Sequence, residues 1–489
     1  MRLGGAGPRA LALSAGAVLA LVHGAAAQQD TVAVRRGAAA GRTGGQDGPA
    51  PGSVAAPPDT LKSLEQRVAQ LDQEVRALKR LRELDGDSAA AKAKAAPVVT
   101  AGQQGFGWRS ADGAFQLRLR GYVQADSRLF RDAVAPPLTN TFELRRARPV
   151  LEATVYRHYD FKVVPDFGQG QTRLFDAYAA ARIAPEFRVT AGKFKAPVGL
   201  ERLQSATDLL FIERAFPTAL VPNRDIGLML SGSLGGQLVQ YDVGLFDGSV
   251  DGALIDGDLN SSKDLHARLF VTPFDRSNVA ALKGLGLGVG ATLGAEHGTP
   301  TNPALPSYKS PGQNTFFTYR GGGTATGTPV ANGPRRRIAP QAYYHWGRLG
   351  LLGEWTRSTQ VATLGSETQT LRTTAWQAAG SFALTGEDAG LKGLTPRRPV
   401  GAGRGGLGAF ELVGRYNTLI IDPAAFPLFA NPASSAQRAR EWAAGVNWYP
   451  ERGVKVSVDY SRTSYRGGAP AGGDRQKEEA VLTQLQLAF

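Results

Sequence analysis

The stretch "EAVLTQLQLAF" (479–489) alternates to its last residue: Val481, Thr483, Leu485, Leu487 and Phe489 fall on one side, and Ala480, Leu482, Gln484, Gln486 and Ala488 on the other. A period of two marks a strand lying between two different surroundings, here one apolar and one wetter. The last residues of an ordinary domain fray and are polar. An amphipathic strand running into an aromatic residue is expected instead where that strand pairs with another and closes a sheet.

The alternation recurs upstream. "FQLRLRGYVQADSRLF" (115–130) sets Phe115, Leu117, Leu119, Gly121, Val123 and Ala125 against Gln116, Arg118, Arg120, Tyr122, Gln124, Asp126 and Arg128. "YDFKVVPDF" (159–167) sets Tyr159, Phe161, Val163 and Phe167 against Asp160, Lys162 and Asp166, and "FRVTAGKF" (187–194), "GAFELVGRYNTLII" (408–421) and "VKVSVDYSRTSY" (454–465) are also strand-like. Allowing about 24 residues for each strand and its connection, with strands of about 10, residues 106–489 hold about 16 strands. No second linker interrupts them, which favours one large barrel over stacked sandwiches. Closure leaves no open edge, as a bilayer demands of any sheet. The expected fold class is all-β, an antiparallel transmembrane barrel of about 16 strands, with long loops near 296–334 and 422–437 at one end. Leu487 and Phe489 would face lipid on the barrel-closing strand, and this C-terminal ending resembles the signal read by the outer-membrane insertion machinery.

Composition narrows the function. The 489-residue chain has no cysteine, which excludes disulfides and thiolate metal sites, and its five histidines lie far apart, so no cofactor or metal is expected. Its net charge is +14, but no dense basic run occurs beyond Arg335-Arg336-Arg337, so the excess reads as a lined channel rather than a nucleic-acid surface. No Ser/His/Asp set falls at defensible strand positions, and an enzyme is not expected.

The N-terminal segments read separately. Arg2 and Arg9, the apolar run 10–22 and Ala25-Ala26-Ala27 make a signal peptide over 1–27. Residues 28–58 are a Gly/Ala/Pro/Gln linker. Over 59–85, Leu61, Leu64, Val68, Leu71, Val75 and Leu78 follow a 3-4 spacing, the seam of a coiled coil, with Gly86 as its stop and a second linker over 86–105. Such a helix could tether the envelope to a cell-wall or periplasmic partner.

At "FELRRARPVLEATVYRHYDFKVVPDF" (142–167), through 175–232, and again at "LTGE" (384–387), 408–417, 445–465 and "LTQLQLAF" (482–489), the sequence resembles the phosphate-selective porin O/P family. The resemblance implies a 16-stranded outer-membrane barrel assembled as a homotrimer, passing phosphate or other small anions. It also implies a third loop, here about 196–222, folded inward as a constriction. Family arginines on the lumen wall resemble Arg145 and Arg146, and the constriction aspartate resembles Asp176. The constriction lysine falls on Arg202, a first-strand arginine falls near Tyr122, and a serine resembles Ser205. Arg118 and Arg120 share the polar face of their strand and, with Arg182, are candidates for the anion path or for pairs with Glu152 or Asp176. Arg148 shares the face of Arg146, although Pro149 hints at a bulge. Lys193 and Lys195 are expected at the pore mouth. Arg335, Arg336 and Arg337 either collect anions at an outer funnel or form a solvated cluster. An anion-favouring, water-filled pore for passive uptake follows, with a weakly selective porin carrying an envelope tether as the alternative.

Overall fold

The computed structural model describes residues 58–489 apart from 103, 132–137, 255, 259, 325 and 402–404. The signal peptide and most of the first linker lie outside the described residues. Helix α1 spans Pro58–Ala95 and runs through the expected stop at Gly86. One glycine costs a helix only about 1 kcal/mol, and the following "DSAAAKAKA" is rich in the best helix formers. The second linker is correspondingly shorter than expected, because strands β1 (Val98–Gly102) and β2 (Gly105–Arg109) form a hairpin directly after the helix.

The barrel begins with β3 (Gln116–Phe130), β4 (Thr141–Val155), β5 (Tyr159–Asp166), β6 (Arg173–Ala184), β7 (Phe187–Phe194), β8 (Asp225–Leu234), β9 (Val239–Phe246), β10 (Asp264–Val271) and β11 (Leu285–His297). A small loop hairpin follows, β12 (Tyr308–Lys309) with β13 (Thr315–Phe317). The wall then continues through β14 (Val330–Trp346), β15 (Leu349–Leu364), β16 (Glu367–Ala383), β17 (Ala409–Ile420), β18 (Ala436–Glu451), β19 (Val454–Gly467) and β20 (Glu478–Ala488). Each strand pairs antiparallel with the next, and β20 pairs with β3, so sixteen strands close on themselves. The closing ladder reaches Phe489, whose N–H and carbonyl both bond to Gly121, 3.0 and 3.2 Å away. Gly121 has no Cβ to meet the Phe489 ring, which packs edge-on to Phe106 of β2.

The burial pattern is inverted relative to a water-soluble barrel. Outward Leu117, Leu119, Val123, Leu351, Phe382, Leu412, Val458, Leu485 and Leu487 are exposed, while inward Gln124, Asp126, Arg146, Gln377, Asn447, Ser457 and Gln484 are buried. Apolar outside and polar inside is the arrangement of a transmembrane barrel. Turns 156–158, 185–186, 235–238, 347–348 and 452–453 are short and share one end of the barrel. Connections 195–224, 247–263, 298–329 and 421–435 share the other, which by the rule for outer-membrane barrels is extracellular. The 384–408 connection lies at the short-turn end, and its length there was not expected from sequence.

The apolar core sits inside the loop end. Phe216 and Leu220 of the 195–224 connection pack with Tyr308, Phe316 and Phe317 of the small hairpin and with Leu419, Ile421 and Phe429. This cluster fills the lumen beside β16–β18 and leaves the opposite side, against β3–β9, for a passage.

Candidate functional site

The site is built by the 195–224 connection crossing the barrel. Short helix α2 (Leu200–Leu203) opens it after Gly199, whose φ of +82° only glycine adopts freely. Wall groups fix its backbone from several directions. Gln124 donates to the Ala206 carbonyl at 3.0 Å, Lys455 to Leu209 at 2.8 Å, and Asn447 to Leu210 at 2.9 Å. The Asp459 carboxylate accepts from Ile212 N–H at 2.8 Å, and Glu354 accepts from Leu200 and Glu201 at the start of α2. A loop bonded to β3, β15, β18 and β19 at once is held as a fixed partition across the lumen.

Three cavities line up along β3–β9. The upper, about 570 Å³, is lined by Arg145, Arg146, Arg202, Arg214 and Lys309 with Glu213 and Asp251. The middle, about 480 Å³, is lined by Arg120, Arg148, Lys162, Arg188, Lys195, Arg214 and Arg224, against the two carboxylates Asp176 and Asp242. The lower, about 430 Å³, carries Arg118, Lys162, Arg182 and Arg188 with Glu152 and Asp160. Arg214 borders the first two, and Lys162, Tyr178 and Arg188 border the last two, so one cationic wall runs from the loop end toward the short-turn end.

Two β-bulges shape that wall. Gln124 pairs with Arg146 and Ala125 with Leu144, which leaves Arg145 as the extra residue of β4. Neighbours on a regular strand face opposite ways, but a bulge turns both inward. Arg145 thus forks onto Glu213 at 2.6 and 3.1 Å, and Arg146 donates to Gln124 at 2.7 Å with Glu213 3.8 Å away. The bulge lies at Arg145 and not beside Pro149, which pairs regularly with Gly121. Phe175 is the extra residue of the second bulge, between Leu174 and Asp176. Its ring lies 3.7 Å beneath the Arg148 guanidinium and 5.0 Å from that of Arg224. Arg148 also bonds Asp166 at 2.7 Å and Tyr122 Oη at 2.8 Å, and Arg224 bonds Asp176 at 2.9 Å.

Electrostatics set the loop's own groups apart. Burial, and after it the repulsion of neighbouring guanidiniums, lowers the pKa of Arg202 and of Arg214. Lys195 is held well below the usual lysine value by burial and then by Arg224 and Arg214, with its Nζ donating to the Leu203 and Gln204 carbonyls at 3.0 and 2.7 Å. Burial opposes ionisation of Glu213, but Arg145, Arg146 and Arg128 outweigh it and hold its pKa at about 2. Like charges crowded in this way are relieved by an anion among them. One pair at about 4 Å is worth about 1 kcal/mol in water and about 4 at an effective dielectric near 20.

The residues singled out from sequence separate here. Arg118, Arg120, Arg145, Arg146, Arg148, Asp176, Arg182, Lys195, Arg202 and Ser205 all line the three cavities. Arg120 is paired with Glu152 at 2.6 Å and Arg182 with Asp160 at 2.9 Å, so both are partly neutralised. Lys193 does not line the passage. It pairs in register with Ala177 and Ile226 on the outward face and contacts Asp256. The strand period ends at Phe194, and Lys195 swings inward with the loop. Arg335 and Arg337 form neither a funnel nor a solvated cluster. Arg335 is buried against Asp264 and Glu296, and Arg337 against Asp251 at 2.6 Å with the Ser249 carbonyl at 2.7 Å, where it pins the 247–263 connection. Arg336, between them on the strand, points outward and is exposed. Glu213, Arg214, Arg224 and Phe175 were missed. Three lie in a connection without periodicity, and the fourth enters through a bulge that has no sequence signature.

The family model described as phosphate-selective porin O and P matches residues 115–489. No curated protein sequence matches the chain. Among solved structures, the outer membrane channel DcaP of Acinetobacter baumannii is similar at 12% identity and a TM-score of 0.50, over 77% of this chain and 98% of that one. OmpF of Salmonella typhi, in complex with daunomycin, is similar at 10% identity and a TM-score of 0.48, over 77% and 98%.

Proposed function

Because the chain belongs to the phosphate-selective porin O and P family, a family of bacterial outer-membrane channels, we propose that its pore is anion-selective and admits phosphate or related small oxyanions passively. The observation that carries this reading is the middle cavity, where seven basic side chains face two carboxylates. Arginine suits such a wall because it stays charged, forks onto oxyanions and is weakly hydrated. Successive guanidiniums give shallow wells in series, whereas a single deep one would hold the ion and block the pore. Asp176, drawing on Arg224, tempers the potential in that cavity. On the same reading the protein works as a homotrimer, inserted through its C-terminal strand, and α1 serves assembly or reaches a periplasmic or cell-wall partner.

Bilayer recording of the purified protein under a chloride gradient tests the proposal. Zero-current potentials on the anion side, with chloride current reduced by millimolar phosphate, are expected. Cation preference overturns the whole reading. Undiminished chloride current in phosphate leaves a general anion pore and removes the oxyanion preference.

A further inference from the structure

The outer surface of the barrel carries arginines that the passage does not use. Arg336 on β14, Arg357 on β15, Arg372 on β16, Arg438 and Arg440 on β18, and Arg462 and Arg466 on β19 all occupy outward positions. They stand in fixed relation to a set of outward aromatics. Trp376 packs against Tyr416 with centroids 5.4 Å apart, and Trp442 against Tyr460 at 5.2 Å, with Trp355 opposite Trp376 in the ladder. On β15, β18 and β19 an arginine lies two residues beyond the aromatic, toward the loop end: Trp355 and Arg357, Trp442 and Arg440, Tyr460 and Arg462. Two residues advance a strand by about 7 Å. Below the aromatics the same face is apolar, with Leu351, Phe382, Leu412, Val446 and Val458 exposed. Aromatic side chains of that kind sit at the membrane–water interface, which sets the arginines at headgroup level in the outer leaflet.

Most of these charges meet no carboxylate among the described residues, and Arg357 lies over the Trp355 ring, 5.0 Å from its centroid. Among the described residues only Arg462 of this set meets a carboxylate, Glu479 at 3.3 Å. Arg438 and Arg466 are direct partners across the β18–β19 ladder, and like charges so placed repel. The Arg438 Nε is buried without a hydrogen-bond partner. The opposite side of the barrel differs, since Leu129, Phe142, Leu144 and Leu228 are exposed on the outward faces of β3, β4 and β8. Cations above an aromatic and apolar belt complement an anionic lipid, and forked guanidiniums match phosphate.

We propose that the outward arginines of β14–β19 form a docking site for phosphate groups on a glycolipid of the outer leaflet, with Arg357, Arg438 and Arg440 at its centre. The test uses the full-length protein in phosphatidylcholine nanodiscs doped with diphosphorylated lipid A or with its dephosphorylated form, and the triple variant R357Q/R438Q/R440Q. Each basic residue near an anionic surface contributes about 1 kcal/mol, so the variant is expected to retain about a hundredfold less diphosphorylated lipid. Its single-channel conductance should be unchanged, which shows that the barrel is intact. Wild-type protein should discriminate against the dephosphorylated lipid, and millimolar inorganic phosphate should not displace the bound lipid. Equal retention by variant and wild type, or equal binding of both lipids, overturns the proposal. So does displacement by inorganic phosphate, which makes the belt a site for free phosphate, or cross-linking of a second chain through Arg357→Cys, which makes this face a protein interface.

Discussion

Arginines of identical chemistry do different work according to whether a carboxylate has already claimed them. Arg337 is spent on structure. Replacing it by methionine leaves Asp251 buried without its cation and Asp264 with Arg335 alone, a loss of about 3–5 kcal/mol. Arg337→Met is therefore expected to lower the unfolding temperature in detergent while leaving the zero-current potential alone, and a shifted potential would return Arg337 to the pore. Among the described residues Arg214 hydrogen-bonds only backbone carbonyls, those of Glu201 and Gln204, and it borders two of the three cavities. Arg214→Gln should reduce anion preference with little change in stability. Lys195 adds a pH dependence. Its pKa is depressed by burial and by Arg224 and Arg214, so its charge is present at low pH and is lost as pH rises, earlier than for an exposed lysine. Anion preference in chloride should accordingly fall as pH rises, and Lys195→Arg should keep it to higher pH. Identical pH profiles in the two proteins would remove Lys195 from the filter. The pair Arg145-Arg146 stood out in the sequence, but their common inward aim did not, because it comes from the one-residue bulge against Gln124 and Ala125.

At the scale of elements, the strands and the positions of the long connections were legible, but the side-chain directions within the connections were not. The outward residues of "FQLRLRGYVQADSRLF" alternate because lipid and lumen impose the same period on every wall strand. Residues 195–224 obey no period, so the side-chain directions of Glu213 and Arg214 depend on anchors as distant in sequence as Asp459 and Glu354. Gly199 makes the turn by which that connection enters the lumen. Gly199→Val forces a β-branched residue to φ +82° and drives its Cβ to 3.2 Å from Val221, at a cost of about 1–3 kcal/mol. The expected result is a loosened partition, seen as larger conductance with reduced anion preference, and unchanged records would show that the partition does not set the pore. Helix α1 carries the other element-scale expectation. Leu61, Leu64, Val68, Leu71, Val75 and Leu78 are 45–65% exposed in the single chain, a seam that further copies would cover. The sequence contains no cysteine, so Leu71→Cys can be oxidised cleanly in the whole protein. It should form an interchain disulfide, whereas Gln73→Cys on the far face should not. Equal yields would dismiss the coiled coil.

For the whole molecule, closure was readable because each wall strand repeats the same inside–outside pattern and β20 must find β3. The placement of charge was less so. A net +14 says nothing of which guanidiniums are paired inside, which face the passage and which face the membrane. The long-range field of this charge and its short-range contacts respond differently to salt. The Debye length is about 10 Å at 0.1 M and about 3 Å at 1 M, so attraction summed over the cationic wall is largely screened in concentrated salt. Direct forks between an oxyanion and partly buried groups such as Arg214 are screened much less. Chloride preference should therefore shrink markedly between 0.1 M and 1 M potassium chloride, while the concentration of phosphate that halves the chloride current rises far less. Zero-current potentials and phosphate titrations of one preparation at both salt concentrations make the comparison. If preference and phosphate block decline together, the wall acts as a diffuse field and the guanidiniums form no discrete sites. If the block persists, the cavities between Arg146 and Lys162 are where the ion pauses on its way through.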